Sequence, residues 1–201
     1  MWRAFALCLL LILAVAGCAG TSPPTLAGKL LVARPNMPPN LFSHSVVLLM
    51  RHDNDGAFGF ILNRPGGEAK LADLLRDLDQ KLPEPMPANP SLGMYLGGPV
   101  ELDTLFLLHS SDMAVSDTIT AAGRYVMSKP LDTMNRMAAS GERPRHVRLL
   151  LGYSGWGAGQ LEGEIARGDW EIVEPSDDLV FSAQSSGDVW ERAWDRRAVG
   201  L

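Results

Sequence analysis

Residues 148–165 constrain the fold more than any other stretch. Arg148-Leu149-Leu150-Leu151 runs straight into Gly152-Tyr153-Ser154-Gly155-Trp156-Gly157-Ala158-Gly159 and then into Gln160-Leu161-Glu162-Gly163-Glu164-Ile165. The apolar run reads as a buried strand, and the glycines after it read as a turn free to fold Tyr153 and Trp156 back over a neighbour. A short acidic helix over 160–166 is expected next. Glycine-rich loops between a strand and a helix often cradle phosphate. Here Glu162 and Glu164 at the helix start repel an anion, and the Lys and Ser/Thr of a phosphate-binding loop are missing. Gly152-Tyr153-Ser154 also begins like the strained turn that exposes a nucleophilic serine. Trp156 stands where that turn needs its second glycine, so Ser154 is not read as a nucleophile. Glu162 and Glu164 lie two apart on a helix, point to different faces and make a poor acid/base pair.

A second run, Ser45 to His52, is a nearly continuous apolar strand. Asp53-Asn54-Asp55-Gly56 supplies turn residues, and Ala57 to Asn63 returns as its hairpin partner. Lys29 to Arg34 reads as a strand, followed by a loop that Pro35, Pro38 and Pro39 keep out of a sheet interior. Leu71, Leu74, Leu75 and Leu78 have helical spacing, and the prolines between 83 and 90 enforce a surface loop. Strands are expected at 94–96, 104–109, 146–151 and 170–173, and a helix at 131–139. A last helix is expected to be capped by Asp188, with Trp190 and Trp194 one turn apart. Hairpins mixed with helical crossovers, and no repeat, argue a single α+β domain.

Taken in order, Ser45-Val46-Val47, His52, Gly56-Ala57-Phe58-Gly59 and Asn63-Arg64-Pro65 form the first part of a familiar pattern. Gly97-Gly98-Pro99-Val100, Leu105-Phe106 with His109, Gly152-Tyr153, Trp156, Gly159-Gln160-Leu161-Glu162, Glu164 and Trp170 continue it. The chain resembles the YqgE/AlgH family from about Gly28 to Trp194. That resemblance implies, for residues 28–201, a strongly curved, bifurcated, mostly antiparallel sheet approaching a pseudo-barrel, with flanking helices. It implies no established biochemical activity, and it brings the label of transcriptional regulator that the family inherits from an association with alginate control.

The start of the chain has a different character. Met1-Trp2-Arg3 is a short positive segment, Ala4 to Ala16 is uncharged and apolar, and Val15-Ala16-Gly17 places small residues before Cys18. The stretch is too short for a bilayer span of about 20 residues and matches a lipoprotein signal peptide over residues 1–17. Cleavage after Gly17 makes Cys18 the lipidated first residue, with 18–27 as a short proline-containing tether. An uncleaved helical anchor and a start codon downstream are the alternatives. Ala19 in place of Asp, by resemblance to proteobacterial lipoproteins, points to the outer membrane facing the periplasm. The expected location is therefore the cell envelope, and the expected partners are the membrane, through lipid on Cys18, and a small ligand or envelope protein.

Charge agrees with that setting. The formal net charge is -5, and loss of Arg3 with the signal makes it -6. Nucleic-acid binders present clustered Lys and Arg, whereas here Arg143, Arg145 and Arg148 are the densest basic group outside the C-terminal helix, so no nucleic acid is expected. Cys8 leaves with the signal and Cys18 carries lipid, so the mature domain has no disulfide. His44, His52, His109 and His146 lack metal-ligand spacing, and neither metal, cofactor nor catalytic residue is assigned. A candidate ligand pocket gathers His52, Asn63, Arg64, Gly97, Gly98, Pro99, His109, Tyr153, Trp156 and Gln160, with His52 and His109 facing each other near Asn63. The polar residues among them read more simply as hydrogen-bonded structure, since polar residues ending strands usually satisfy backbone groups. Two other function classes stay open: a cytoplasmic transcriptional regulator if the start is downstream, and a hydrolase or transferase using His52 or His109.

Overall fold

The computed structural model describes residues 25–182 and 186–197, so residues 1–17, expected to be a signal peptide, and Cys18 lie outside the described residues. In chain order the elements are β1 (Leu30–Ala33), β2 (Val46–Asp53), β3 (Gly56–Ile61), β4 (Pro65–Lys70), α1 (Leu71–Asp77), β5 (Ser91–Leu96) and β6 (Val100–Ser110). Then come β7 (Ile119–Ala121), β8 (Tyr125–Ser128), α2 (Pro130–Ser140), β9 (Val147–Gly157), α3 (Gln160–Arg167), β10 (Trp170–Val173), α4 (Asp177–Val180) and α5 (Ser186–Arg196).

The strands make one open, curved, ten-stranded sheet in the order β10-β1-β2-β3-β9-β6-β8-β7, with β4 and β5 branching from β9. Every pairing is antiparallel except β5 with β9. The branch point explains the bifurcation. One edge of β9 carries β6 along most of its length, while the other carries β5 at Leu149–Leu151 and β3 at Ser154–Gly157. The change of partner falls at Gly152, whose φ of +65° lets the strand turn between two directions without a Cβ penalty.

Both faces of the sheet are covered, which is why Val46 to Met50 has no polar alternation. Leu30, Val32, Leu48, Phe60 and Leu150 face α4 and α5 through Leu179, Val189 and Ala193. Leu31, Val47, Leu49 and Ile61 face the other way, toward α3 and its Leu161, with Trp156 and Trp170. Farther along that side Leu107 and Leu149 pack on α1 and α2 through Leu71, Leu75, Met134 and Met137.

The structure corrects the sequence reading in four places. The strand expected to end at Leu151 continues to Gly157, because Gly152 bends a ladder without ending it. Asp188 is not a cap: α5 begins at Ser186 and Asp188 lies in its first turn, where its charge still favours the helix dipole. β4, Pro-Gly-Gly-Glu-Ala-Lys, lacks apolar alternation because it is an exposed edge strand that pairs with β5 alone, a position that tolerates Pro at its start. β7, β8 and α4 are short elements with no periodic signal of their own.

Candidate functional site

Across β2, β3 and β9 the register places Arg51 opposite Phe58 and Phe58 opposite Gly155. On this face the Tyr153 ring lies over Gly155, and beside it opens a concave cleft of about 440 Å³ lined by Arg51, Ala57, Phe58, Val100, Ile119, Tyr153, Gly155 and Trp156. Its wall is aromatic. The Tyr153 ring meets Phe58 edge-on at 5.1 Å and Phe106 at 6.0 Å, and Phe58 meets Phe60 at 5.2 Å. Ile119, 40% exposed, adds an aliphatic side chain to the lining. Arg51 is the cation of the cleft; it is exposed and lies 3.4 Å from Asp53. An apolar wall with one exposed cation suits an amphiphile carrying a negative group.

Tyr153 and Trp156 are the sequence candidates that line this cleft. Gly97, Gly98 and Pro99 lie behind it. Gly97 N–H donates to the Leu151 carbonyl and Ile61 N–H to the Gly97 carbonyl, both at 2.8 Å, while Ser154 Oγ donates to Gly97 O at 3.1 Å. The Gly98 backbone presses on Tyr153. The turn thus closes the sheet junction, where Ser154 is fully buried and hydrogen-bonded.

Asn63 and Arg64 meet the same junction through Leu96 N–H, which donates to Arg64 O at 2.8 Å, but their side chains turn away from the cleft. Asn63 accepts from Val46 N–H at 2.9 Å and donates to His44 O at 2.8 Å. Arg64 donates to the carbonyls of Leu41 and Ser43, fastening the proline loop, and burial lowers its pKa. Gln160 bridges Gly157 N–H and the Glu164 carboxylate.

His52 and His109 do not face each other. His52 lies opposite Ala57, which lies opposite Trp156; His109 lies opposite Val147. Nine residues of β9 separate those positions, about 30 Å of extended chain. His52 is buried and fully used: Nδ1 accepts from Leu26 N–H at 3.0 Å, which leaves the proton on Nε2, 2.8 Å from Glu162 Oε1. The backbone N–H at its own helix-start position, and then His52, hold Glu162 below the usual carboxylate range. Glu164, on the other side of α3, accepts from the indole N–H of Trp156 and of Trp170, each at 2.8 Å. The two glutamates are anchors for α3.

His109 is wholly buried. Its Nδ1 lies 2.8 Å from the Ser110 carbonyl, and its Nε2 has no partner. Burial lowers its pKa, with the Ser110 carbonyl and Asp112 opposing. A histidine held neutral in the folded state binds its proton more readily in the unfolded chain. Its contribution is therefore complete above the ordinary histidine pKa of about 6.5 and is lost as pH falls below that value. In His109→Leu the loss of melting temperature between pH 7 and pH 5 is expected to be smaller than in the wild type. Identical pH profiles for the two proteins contradict this role.

Arg148 needs a correction as well. It belongs to no basic patch: it is buried, stacked 4.2 Å over the Tyr95 ring, and donates to the carbonyls of Leu62 and Ser182. Desolvation pulls its pKa down to about 10, with Tyr95 opposing. Among the described residues no cluster of three or more His, Cys, Asp or Glu side chains could hold a metal, and no helix is long and apolar enough to cross a membrane.

Fold and site together define a single α+β domain in which helices cover both faces of an open, curved, bifurcated sheet. The AlgH-like family profile, DUF179, matches residues 30–200, and the chain belongs to that family. It is 42% identical over 177 residues to a UPF0301 protein of Methylococcus capsulatus, covering 87% of this chain and 93% of the relative. A UPF0301 protein of Cereibacter sphaeroides is 39% identical over 163 residues, covering 81% and 86%. Among solved structures it is similar to AlgH from Pseudomonas aeruginosa, with TM-score 0.68, 31% identity and coverage of 90% and 92%. A Corynebacterium diphtheriae protein matches with TM-score 0.61, 25% identity and coverage of 84% and 85%.

Proposed function

We propose that this chain is a lipid-anchored, non-catalytic binding module of the cell envelope, outer-membrane bound and facing the periplasm, that receives an amphiphilic ligand or partner segment in the Tyr153 cleft. The observation that carries the reading is the run of small residues Val15-Ala16-Gly17 before Cys18, behind an uncharged apolar stretch and a single Arg3. The chain enters the described domain at Thr25, whose hydroxyl donates to His52 O at 2.8 Å, and Leu26 N–H bonds the His52 ring. A lipid on Cys18 thus holds the hairpin end of the sheet near the bilayer. The non-catalytic part of the reading is supported by the state of the side chains that chemistry would need: His52 has both ring nitrogens bonded, and Ser154 and His109 are buried.

Replacing Cys18 with serine is expected to block processing, leaving a precursor longer by the 17 signal residues and removing the acylated form from the detergent phase. Equal electrophoretic mobility and equal partition of the wild-type and Cys18→Ser proteins contradict the anchor.

A further inference from the structure

The edge of the sheet at β10 has the geometry to accept one more strand. β10 pairs with β1 alone. Arg34 N–H donates to Asp169 O at 3.0 Å, so the β10 residues bonded to β1 are those in step with 169, namely Glu171 and Val173. The other side of β1 has the complementary phase: Ala33 N–H donates to Ser45 O and Leu49 N–H to Lys29 O, both at 3.0 Å. Odd residues of β1 therefore serve β2 and even ones serve β10. Trp170 and Ile172 consequently point their N–H and C=O groups out of the sheet, where no described residue bonds them.

That edge lies in a cleft of about 980 Å³, with Ile165 and Gly168 on the α3 side and Arg196 and Arg197 on the α5 side. Ile172, 41% exposed, sits in it. A bare edge elsewhere is ordinary; this one lies in a cleft flanked by two helices, a volume that suits a short extended chain. The two sides differ in chemistry. Toward α3 an added strand meets Ile165 and Ile172. Toward α5 it meets arginine. Glu171 is already paired with Arg34 and Glu174 with Lys29, and Arg196 shares Asp178 with Arg192. Arg197 forms no ion pair among the described residues and lies 3.8 Å over the Trp194 ring. In a chain of net charge -5 the lining of this groove, with Arg34, Arg196 and Arg197 against Glu171 and Glu174, has one positive charge in excess.

We propose that the β10 cleft binds an extended peptide segment by strand addition, reading alternate residues as apolar toward Ile165 and Ile172 and acidic toward Arg196 and Arg197. Main-chain hydrogen bonds to Trp170 and Ile172 supply the affinity, and the two unlike walls set the pattern of side chains. This site is separate from the Tyr153 cleft and does not depend on lipidation.

The test uses the full chain and a synthetic peptide, acetyl-Val-Glu-Val-Glu-Val-amide, with binding followed by calorimetry and by the amide resonances of Trp170 and Ile172. The acidic peptide is expected to shift both resonances. A Val-Lys-Val-Lys-Val version, and an acidic peptide N-methylated on the amides that face β10, are each expected to bind at least about tenfold more weakly, the effect of one hydrogen bond or ion pair. Ile172→Pro deletes an outward N–H without touching the β1 ladder and is expected to lose a similar factor. Should that variant melt early, the N-methylated peptide on the wild-type chain carries the same comparison. Failure of the acidic peptide to bind, equal affinity for the three peptides, or unmoved Trp170 and Ile172 amides each overturn the proposal.

Discussion

Gly98→Ala is expected to destabilise the domain by about 4 kcal/mol or more, enough to empty most of the folded state of a marginally stable protein. Gly98 has φ of +158°, and a Cβ there would lie 2.2 Å from the carbonyl carbon and oxygen of Tyr153 and 2.4 Å from Ser154 N. Those are backbone atoms of β9 at the point where the sheet divides, held by the Gly97 and Ser154 bonds behind them. Nothing there can swing aside as a flexible side chain would. Gly157, at the end of the same strand, has no atom within 4 Å of such a Cβ. Gly157→Ala is therefore expected to change stability by no more than about 0.5 kcal/mol. Urea denaturation of the two variants checks the contrast, and similar midpoints for both contradict it.

Trp156→Ala carries the second large effect, about 3–5 kcal/mol. The ring is buried against Phe42 at 6.0 Å and Trp170 at 6.2 Å, and its N–H donates to Glu164. Truncation opens a cavity under α3 and also removes one of the two indole donors that the Glu164 carboxylate accepts. Trp156→Phe separates these parts: it keeps most of the packing and loses the charge-assisted hydrogen bond, at about 1.5–3 kcal/mol. If the alanine and phenylalanine variants unfold at the same denaturant concentration, the ring's packing contributes little and this picture of α3 docking is wrong.

These two positions also show how far the sequence was legible. Val46 to Met50, Leu71 to Leu75 and the Arg148–Leu151 run declared themselves because burial on two faces, or on one face of a helix, leaves a periodic apolar trace. The family pattern supplied the curved sheet, which no local periodicity encodes. Gly152 misled as a terminator because a glycine that ends a strand and a glycine that bends one are the same residue; only the partners at Leu151 and Ser154 tell them apart. β4 stayed silent because an exposed edge strand has no face to bury.

The cleft was half legible. Tyr153 and Trp156 stood out as aromatics among glycines, whereas Arg51 was read only as part of an apolar strand. That Arg51, Phe58 and Gly155 share a row is a fact of register across three strands, fixed by the bulge between Leu49 and Arg51, and no spacing along the chain reveals it. His52 and His109 show the reverse failure. Polar residues ending strands suggested a shared site, while the topology places them near opposite ends of β9, one satisfied by Leu26 and Glu162 and the other buried with an idle nitrogen.

Whether the domain is held at the membrane by lipid on Cys18 is decided by the intact mass of the protein purified from membranes. The expected mass is that of a polypeptide of 184 residues beginning at Cys18, since 17 of 201 are removed, with added mass from the acyl groups on its sulfur and amine. A mass equal to the unmodified 201-residue chain, or to a chain starting downstream of Cys18 without lipid, contradicts it.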